Sequence, residues 1–138
     1  MSSKPATGLA GIIFLLVDAE EEFDLDAGQF ARELVDAISD KMGSDVILLD
    51  VRQVSLLADH FIICTAETER QVKAIVDEIL VTGKGAGFKP LQMDGSSGSG
   101  WMVLDYGTLI VHIFLPPQRD YYRMEDLWSD AALVVRIQ

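Results

Sequence analysis

Apolar side chains recur along this chain with two different spacings, and the spacing separates helices from strands. Phe30, Leu34, Ala37 and Ile38 stand at i, i+4, i+7 and i+8, the stripe of a helix with one buried face. Asp26 is placed to cap that helix with Gln29 at its third position, and Gly43 to end it. Thr68-Glu-Arg-Gln71 has the form of a capping box and leads into Val72, Ile75, Val76, Ile79 and Leu80, a second stripe ending at Gly83. Val46–Leu49 and Phe61–Cys64, by contrast, are unbroken apolar runs without helical spacing, which fits strands buried on both faces. The connector over residues 52–59 is short enough to return the second strand antiparallel to the first. Phe88–Met93 reads as an edge strand, because Pro90 cannot donate to a ladder, and the Gly/Ser segment over residues 95–100 as a flexible approach loop. Beyond Pro116-Pro117, the near-helical spacing of Tyr121, Met124, Leu127 and Trp128 fits one or two short helices. Helices alternating with strands predict a single α/β domain.

Residues 101–114 predict a hairpin turning tightly at Tyr106-Gly107, with Trp101 opposite His112, Val103 opposite Ile110 and Asp105 opposite Thr108. Alternation puts Met102, Leu104, Leu109, Val111 and Ile113 on one wholly apolar face, which belongs to the core. Trp101, Val103, Asp105, Thr108, Ile110 and His112 share the other. An indole, aliphatic neighbours, a carboxylate and an imidazole suit two arrangements equally: a face covered by a helix, or a protein-binding patch anchored by tryptophan.

Composition narrows the choice of partner. The chain has 138 residues, 49% of them apolar and 24% charged, ordinary for one globular domain. Twenty-two acids against eleven bases give a net charge of −11, which opposes capture of a nucleic-acid backbone and suits something basic, either a cationic protein patch or a cation. The single cysteine cannot close an internal disulfide, in keeping with a reducing, cytoplasmic setting. Gly8–Val17 is an unbroken small-or-apolar run, too short to span a bilayer as a helix and followed by no small-x-small cleavage site, so neither membrane nor export is expected. Six acids between Asp18 and Asp26 have the look of a calcium loop, but Phe23 and Gln29 stand where an EF-hand needs Gly and Glu. Residues 1–27 hold −5 of the net charge and residues 28–138 the other −6, so the former read as an apolar and acidic extension ahead of the domain.

Enzyme motifs fail on spacing. Nucleotide transfer on a sheet of this kind needs two carboxylates at i, i+2 on a strand to hold metal; Asp45, Asp50 and Asp105 are followed at i+2 by Ile47, Arg52 and Gly107. Asp18, Glu20 and Glu22 have the spacing but no strand around them. The GKGAG segment over residues 83–87 trails a helix instead of opening one, so it does not form a phosphate loop. His60 and Cys64 would lie about 13 Å apart along one strand, too far to share a metal or a proton. Cys64 fits a packed core thiol, and the aromatic residues Tyr121, Tyr122 and Trp128 fit packing.

Several blocks in register carry a family resemblance. DVILLDV, DHFIICTA, RQVKAIVDEI, WMVLDYGTLIVHIF and RDYYRMEDLWSDA are similar, in the same order from about Gln29 to Ala132, to the Iojap or ribosomal silencing factor family. The resemblance implies a mixed β-sheet flanked by helices, nucleotidyltransferase-like in fold. It further implies binding to ribosomal protein uL-fourteen on the intersubunit face of the large subunit, steric block of subunit joining, and no chemistry, cofactor or metal. Carried onto this chain, Trp101, Asp105, Tyr106 and Gly107 match the family hairpin and His112 its outgoing strand, with Val103 and Ile110 supplying apolar contact between them. His112 equally fits a satisfied sheet histidine. Thr108 stands where the family usually has Asp, Ala66-Glu67 where it has a small Gly-Thr pair, and residues 1–27 have no counterpart. The rival readings are a metal-dependent nucleotidyltransferase-like enzyme and a scaffold that closes a two-fold homodimer through the Trp101 face.

Overall fold

The computed structural model describes residues 22–138, with side chains described from Gly28 onward. The apolar run at Gly8–Val17 lies outside the described residues. In chain order the elements are α1 (Glu22–Asp40), β1 (Ser44–Asp50), β2 (His60–Thr65), α2 (Glu69–Gly85), β3 (Gln92–Ser96), a 3-10 turn (Ser97–Ser99), β4 (Trp101–Asp105), β5 (Leu109–Phe114), α3 (Pro116–Tyr122), α4 (Met124–Leu127) and β6 (Ala132–Ile137). The described strands form one mixed sheet in the order β3-β4-β5-β2-β1-β6. β2 and β5 pair in parallel, and every other neighbour pair is antiparallel. The expected α/β domain with a mixed, helix-flanked sheet is what forms.

The centre of the sheet is dry on both sides. On one side α1 and α2 bring Phe30, Leu34, Ile38, Val72, Ile75 and Ile79 against Leu48, Ile62, Cys64, Leu104, Val111 and Ile113. On the other, Ile47, Leu49, Phe61, Ile63 and Phe114 pack with Val51 and Ala58 of the β1–β2 connector and with Met124 and Trp128 from the chain after β5. Two-sided burial explains the unbroken apolar runs of β1 and β2, at about 1.5–3 kcal/mol for each large aliphatic side chain removed from water.

Helix ends are set by local chemistry. Thr68 Oγ1 accepts from Gln71 N at 3.1 Å, as the capping box predicts. The Gln71 side chain reaches further back than expected: Oε1 accepts from Glu67 N, and Nε2 donates to the carbonyls of Lys41 and Met42, tying α2 to the end of α1. α2 runs on to Gly85, past the expected stop at Gly83, and Gly83 is instead a contact residue: a Cβ there would meet the Tyr106 hydroxyl at 3.1 Å. α1 is already helical at Glu22, the first described residue, so Asp26 sits within the helix and not at its cap.

α1 closes in a Schellman arrangement, with Gly43 N donating to Ile38 O and Met42 N to Ser39 O. The left-handed position is held by Met42 (φ 66°), not by glycine. Gly43 is needed for closeness, since a Cβ there would collide with Ile38 Cγ2 and approach Ile38 O at 3.0 Å.

Two further expectations change. The edge strand is Gln92–Ser96, shifted beyond Pro90, and most of the Gly/Ser segment is ordered: Ser96 and Ser99 cap one another across the 3-10 turn, and Gly95 and Gly100 take left-handed φ. β6, unassigned from the sequence, pairs with β1 at the opposite edge.

Met42→Gly is expected to stabilise the protein by up to ~1 kcal/mol by relieving the left-handed methionine. Gly43→Ala is expected to cost about 1–3 kcal/mol through overpacking against Ile38. Urea denaturation midpoints of the two variants check both signs.

Candidate functional site

The β4–β5 hairpin carries the residues singled out from the sequence, but its register differs by two from the expected one. Trp101 pairs with Phe114, Val103 with His112 and Asp105 with Ile110, so the two loop positions are Gly107 and Thr108. Gly107 (φ 89°) takes the position where a two-residue hairpin loop favours glycine, and Asp105 Oδ1 accepts from Gly107 N at 2.7 Å. Tyr106 N donates to Leu109 O to close the turn. A shift of two leaves every side chain on its expected face.

Met102, Leu104, Leu109, Val111 and Ile113 therefore pack toward α1 and α2. Tyr106 goes with them. It is buried, edge-on to Phe30 at 5.0 Å, and its burial raises the phenol pKa. Trp101, Val103, Asp105 and Ile110 lie partly exposed on the opposite face. Pairing of β3 with β4 adds two residues the hairpin alone does not reveal. Gln92 stands opposite Asp105 and Asp94 opposite Val103, with Gln92 Nε2 donating to Asp94 Oδ2 at 3.0 Å. Directly paired residues share a face, so two carboxylates flank Val103 there.

The mixed face is neither roofed nor bare. Trp128 stands edge-on to Phe61 at 5.0 Å, and Met124 joins the same cluster, covering the β1–β2–β5 half. Over the β3–β4 half, Trp101 stacks on Phe114 (4.9 Å) and meets Tyr122 (4.6 Å), which in turn holds Tyr121 edge-on at 5.0 Å. Tyr122 is 44% exposed and Tyr121 80%. These tyrosines, read as packing from their spacing, prolong the aromatic surface that starts at Trp101. The tandem YY ahead of the short helix was the signal available in the sequence.

His112 lies beneath this surface. It is buried, and its Nδ1 accepts from the Trp101 indole N–H at 3.2 Å, which makes it neutral with the proton on Nε2. Phe61 meets the ring edge-on at 5.3 Å. Burial pulls the imidazole pKa down to about 4. His112 thus orients the indole and offers almost no surface itself.

Of the acids considered for metal chemistry, Asp18 and Glu20 lie outside the described residues and the Glu22 side chain is not described, while those on the sheet are separated and partnered. Asp50 forms a 2.7 Å pair with Arg52; burial raises its pKa, but Arg52's hydrogen bonds and charge outweigh that and lower it overall. Asp45 meets Arg119 and Arg136 at 3.3 and 3.2 Å. No group of three or more His, Cys, Asp or Glu among the described residues is arranged to hold a metal ion. Cys64 is fully buried, and burial pushes its thiol up to about 12, as befits a core thiol. Among the described residues no helix is long and apolar enough to cross a membrane.

Because His112 is neutral when folded and takes up a proton near its ordinary pKa when unfolded, the unfolded state binds more protons as pH falls below about 6.5. Stability is expected to fall by about 3 kcal/mol from pH 6.5 to pH 4 and then to level off for this group. His112→Phe should flatten that part of the profile, as urea titrations at pH 7, 5.5 and 4 would read.

The comparisons agree with this architecture. A family model described as "Ribosomal silencing factor during starvation" matches residues 24–138. The ribosomal silencing factor RsfS of Bacillus subtilis is 38% identical over 97 residues, 70% of this chain and 82% of that protein. The chloroplastic protein Iojap of Arabidopsis thaliana is 34% identical over 113 residues, covering 82% of this chain and 47% of that longer one. A crystal structure of a Chromobacterium violaceum protein superposes with a TM-score of 0.70 at 34% identity, covering 73% of this chain and 84% of that one. With the hairpin, the parallel β2–β5 pairing and the sequence match running through the same residues, this chain belongs to the ribosomal silencing factor family.

Proposed function

We propose that this chain represses translation by docking on the large ribosomal subunit through the open half of the mixed sheet face, engaging ribosomal protein uL-fourteen and keeping the small subunit from joining. The observation that carries this reading is the half-uncovered aromatic surface. Trp101 is fixed from below by His112 and from the side by Phe114 and Tyr122, while Val103, Asp105 and Ile110 extend the surface along the hairpin. A preoriented indole with aliphatic neighbours and a polar rim is the composition of an interface hot spot.

Charge favours the same partner class. Asp94 and Asp105 flank Val103, and the chain as a whole carries −11, which steers it toward a basic protein and away from exposed ribosomal RNA. Stable docking requires on the order of 1,200–2,000 Å² of total buried surface, a share this domain can supply. Occupying the joining surface is then sufficient for silencing in the cytoplasm, with no reaction to catalyse. Tyr106 and His112 contribute by supporting the hairpin and the indole, and Gly107 by shaping its turn.

Self-association through the same face is a competing use, favoured by the exposure of Tyr121, Tyr122 and Leu127 at its margin. A dimer of that kind would hide the docking surface and come apart on the ribosome, and light scattering across a dilution series reads it directly.

Sedimentation with purified large subunits tests the docking face. Trp101→Ala is expected to weaken binding by ~30-fold or more, the effect of removing an aromatic anchor, and to restore subunit joining. Asp105→Asn keeps an oxygen for the Gly107 turn while removing the charge, so it should cost only a few-fold and flatten the salt dependence of association. Wild-type protein that leaves subunit joining unchanged would sink the function. Unchanged binding by Trp101→Ala would move the interface elsewhere.

A further inference from the structure

Arg119 is buried although it carries a full charge and lies outside the docking face. It stands in α3, a helix of two turns, with only 8% of its side chain exposed, yet its guanidinium is engaged through all three of its nitrogens. Nη1 donates to Asp45 O at 2.9 Å and to Thr65 Oγ1 at 2.8 Å. Nε donates to both Glu125 oxygens at 3.3 and 3.1 Å, and Nη2 lies 3.3 Å from Asp45 Oδ2. One guanidinium therefore joins four segments: its own helix, the start of β1, the end of β2 and α4.

The anchoring is specific to a planar, multi-donor group. Asp45 holds a left-handed φ of 45°, a conformation costly for a non-glycine residue, and is bracketed by Arg119 on one carboxylate oxygen and Arg136 on the other. A lysine in place of Arg119 could satisfy one or two of these acceptors but not all of them at once.

What Arg119 holds is the helix that carries Tyr122. The two residues are one helical turn apart, and Tyr122 ends α3 against Trp101 and Phe114. Other side-chain restraints on α3 are packing ones, Leu115 against the core and the Gln118 side chain against Gly100. Leu115 at its N-cap makes no side-chain capping bond, and the residue after Tyr122, Arg123, leaves the helix with a left-handed φ of 46°. The backbone tie at its start is Leu115 N to Gly100 O at 3.0 Å. A short helix of this kind has little intrinsic stability, so side-chain anchoring decides where it lies.

We infer that Arg119 is a positioning residue for the docking face: by bolting α3 to β1 and β2 it sets Tyr122 against the Trp101 indole and so builds the aromatic surface that a partner meets. The inference rests on the proposed docking role of that face. Its geometric half, the arrangement of Tyr122 on Trp101, can be read without any ribosome.

The experiment compares wild type, Arg119→Met, Arg119→Lys, Tyr122→Ala and the double variant Arg119→Met/Tyr122→Ala. In the free, nitrogen-labelled proteins, the Trp101 indole N–H resonance, assigned by its loss in Trp101→Phe, should move in Arg119→Met toward its position in Tyr122→Ala, with Arg119→Lys between. An indole resonance that stays at its wild-type position in a folded Arg119→Met protein overturns the inference. In large-subunit binding, Arg119→Met and Tyr122→Ala should each cost about tenfold, and the double variant no more than Tyr122→Ala alone. Independent, multiplying losses would show that Arg119 does not act through Tyr122. Should Arg119→Met fail to fold, Arg119→Lys carries the same two readouts. If wild type does not bind large subunits, the docking proposal fails, and the indole resonance alone then decides whether Arg119 positions the pair.

Discussion

β2 and β5 run side by side in parallel from His60 with Leu109 to Thr65 with Phe114, and the rest of the molecule is arranged around that pairing. It joins two antiparallel units, β1 with β2 and β4 with β5, into one sheet, and it can form only after the intervening chain, including α2, has crossed over. Its central residues are completely dry: Ile62, Ile63, Cys64, Ile113 and Phe114 are inaccessible to solvent. A hairpin that is marginal by itself gains from this neighbour a rigid floor, and that floor lets one side of it be left open.

The asymmetry of the two faces follows from the lengths of the covering elements. α1 and α2 are long enough to shield their side of the sheet from β4 to β1, whereas α3 and α4 together span only eleven residues and cannot reach as far. They cover Phe61 and Ile63 and stop at Trp101. The indole therefore sits on a boundary, supported within by His112 and Phe114 and open without. A neutral imidazole is a suitable support there, because it accepts the indole N–H without bringing a charge into the interior.

Legibility in the sequence tracked the range of the interactions involved. The stripes of α1 and α2, the buried runs of β1 and β2, and the division of hairpin residues between two faces are properties of periodicity, and they survive the two-residue register error because strand alternation has period two. The register itself depended on Gly107 entering the loop at its first position, which tyrosine before it disguised. Ser96 and Ser99 form a mutual cap inside a stretch whose composition suggests flexibility, and Gly83 proved to be a contact with Tyr106 where the sequence suggested a helix end. At the candidate site, Trp101, Val103, Asp105 and Ile110 were readable from alternation. Tyr122 and the bonds of Arg119 were not, since they join segments distant in the chain. The burial of His112 was left open for the same reason: only the position of Phe61 and Trp128 decides it.

Gly95 has a consequence for how such a protein coexists with its own copies. Its left-handed φ of 87° and its backbone pressed against the Trp101 carbonyl leave no room for a side chain, and they interrupt the regular extended backbone that another chain pairing on the free edge would need. That rim is also short, polar and punctuated by Asp94. Sheet extension by a further copy is thereby discouraged along this border.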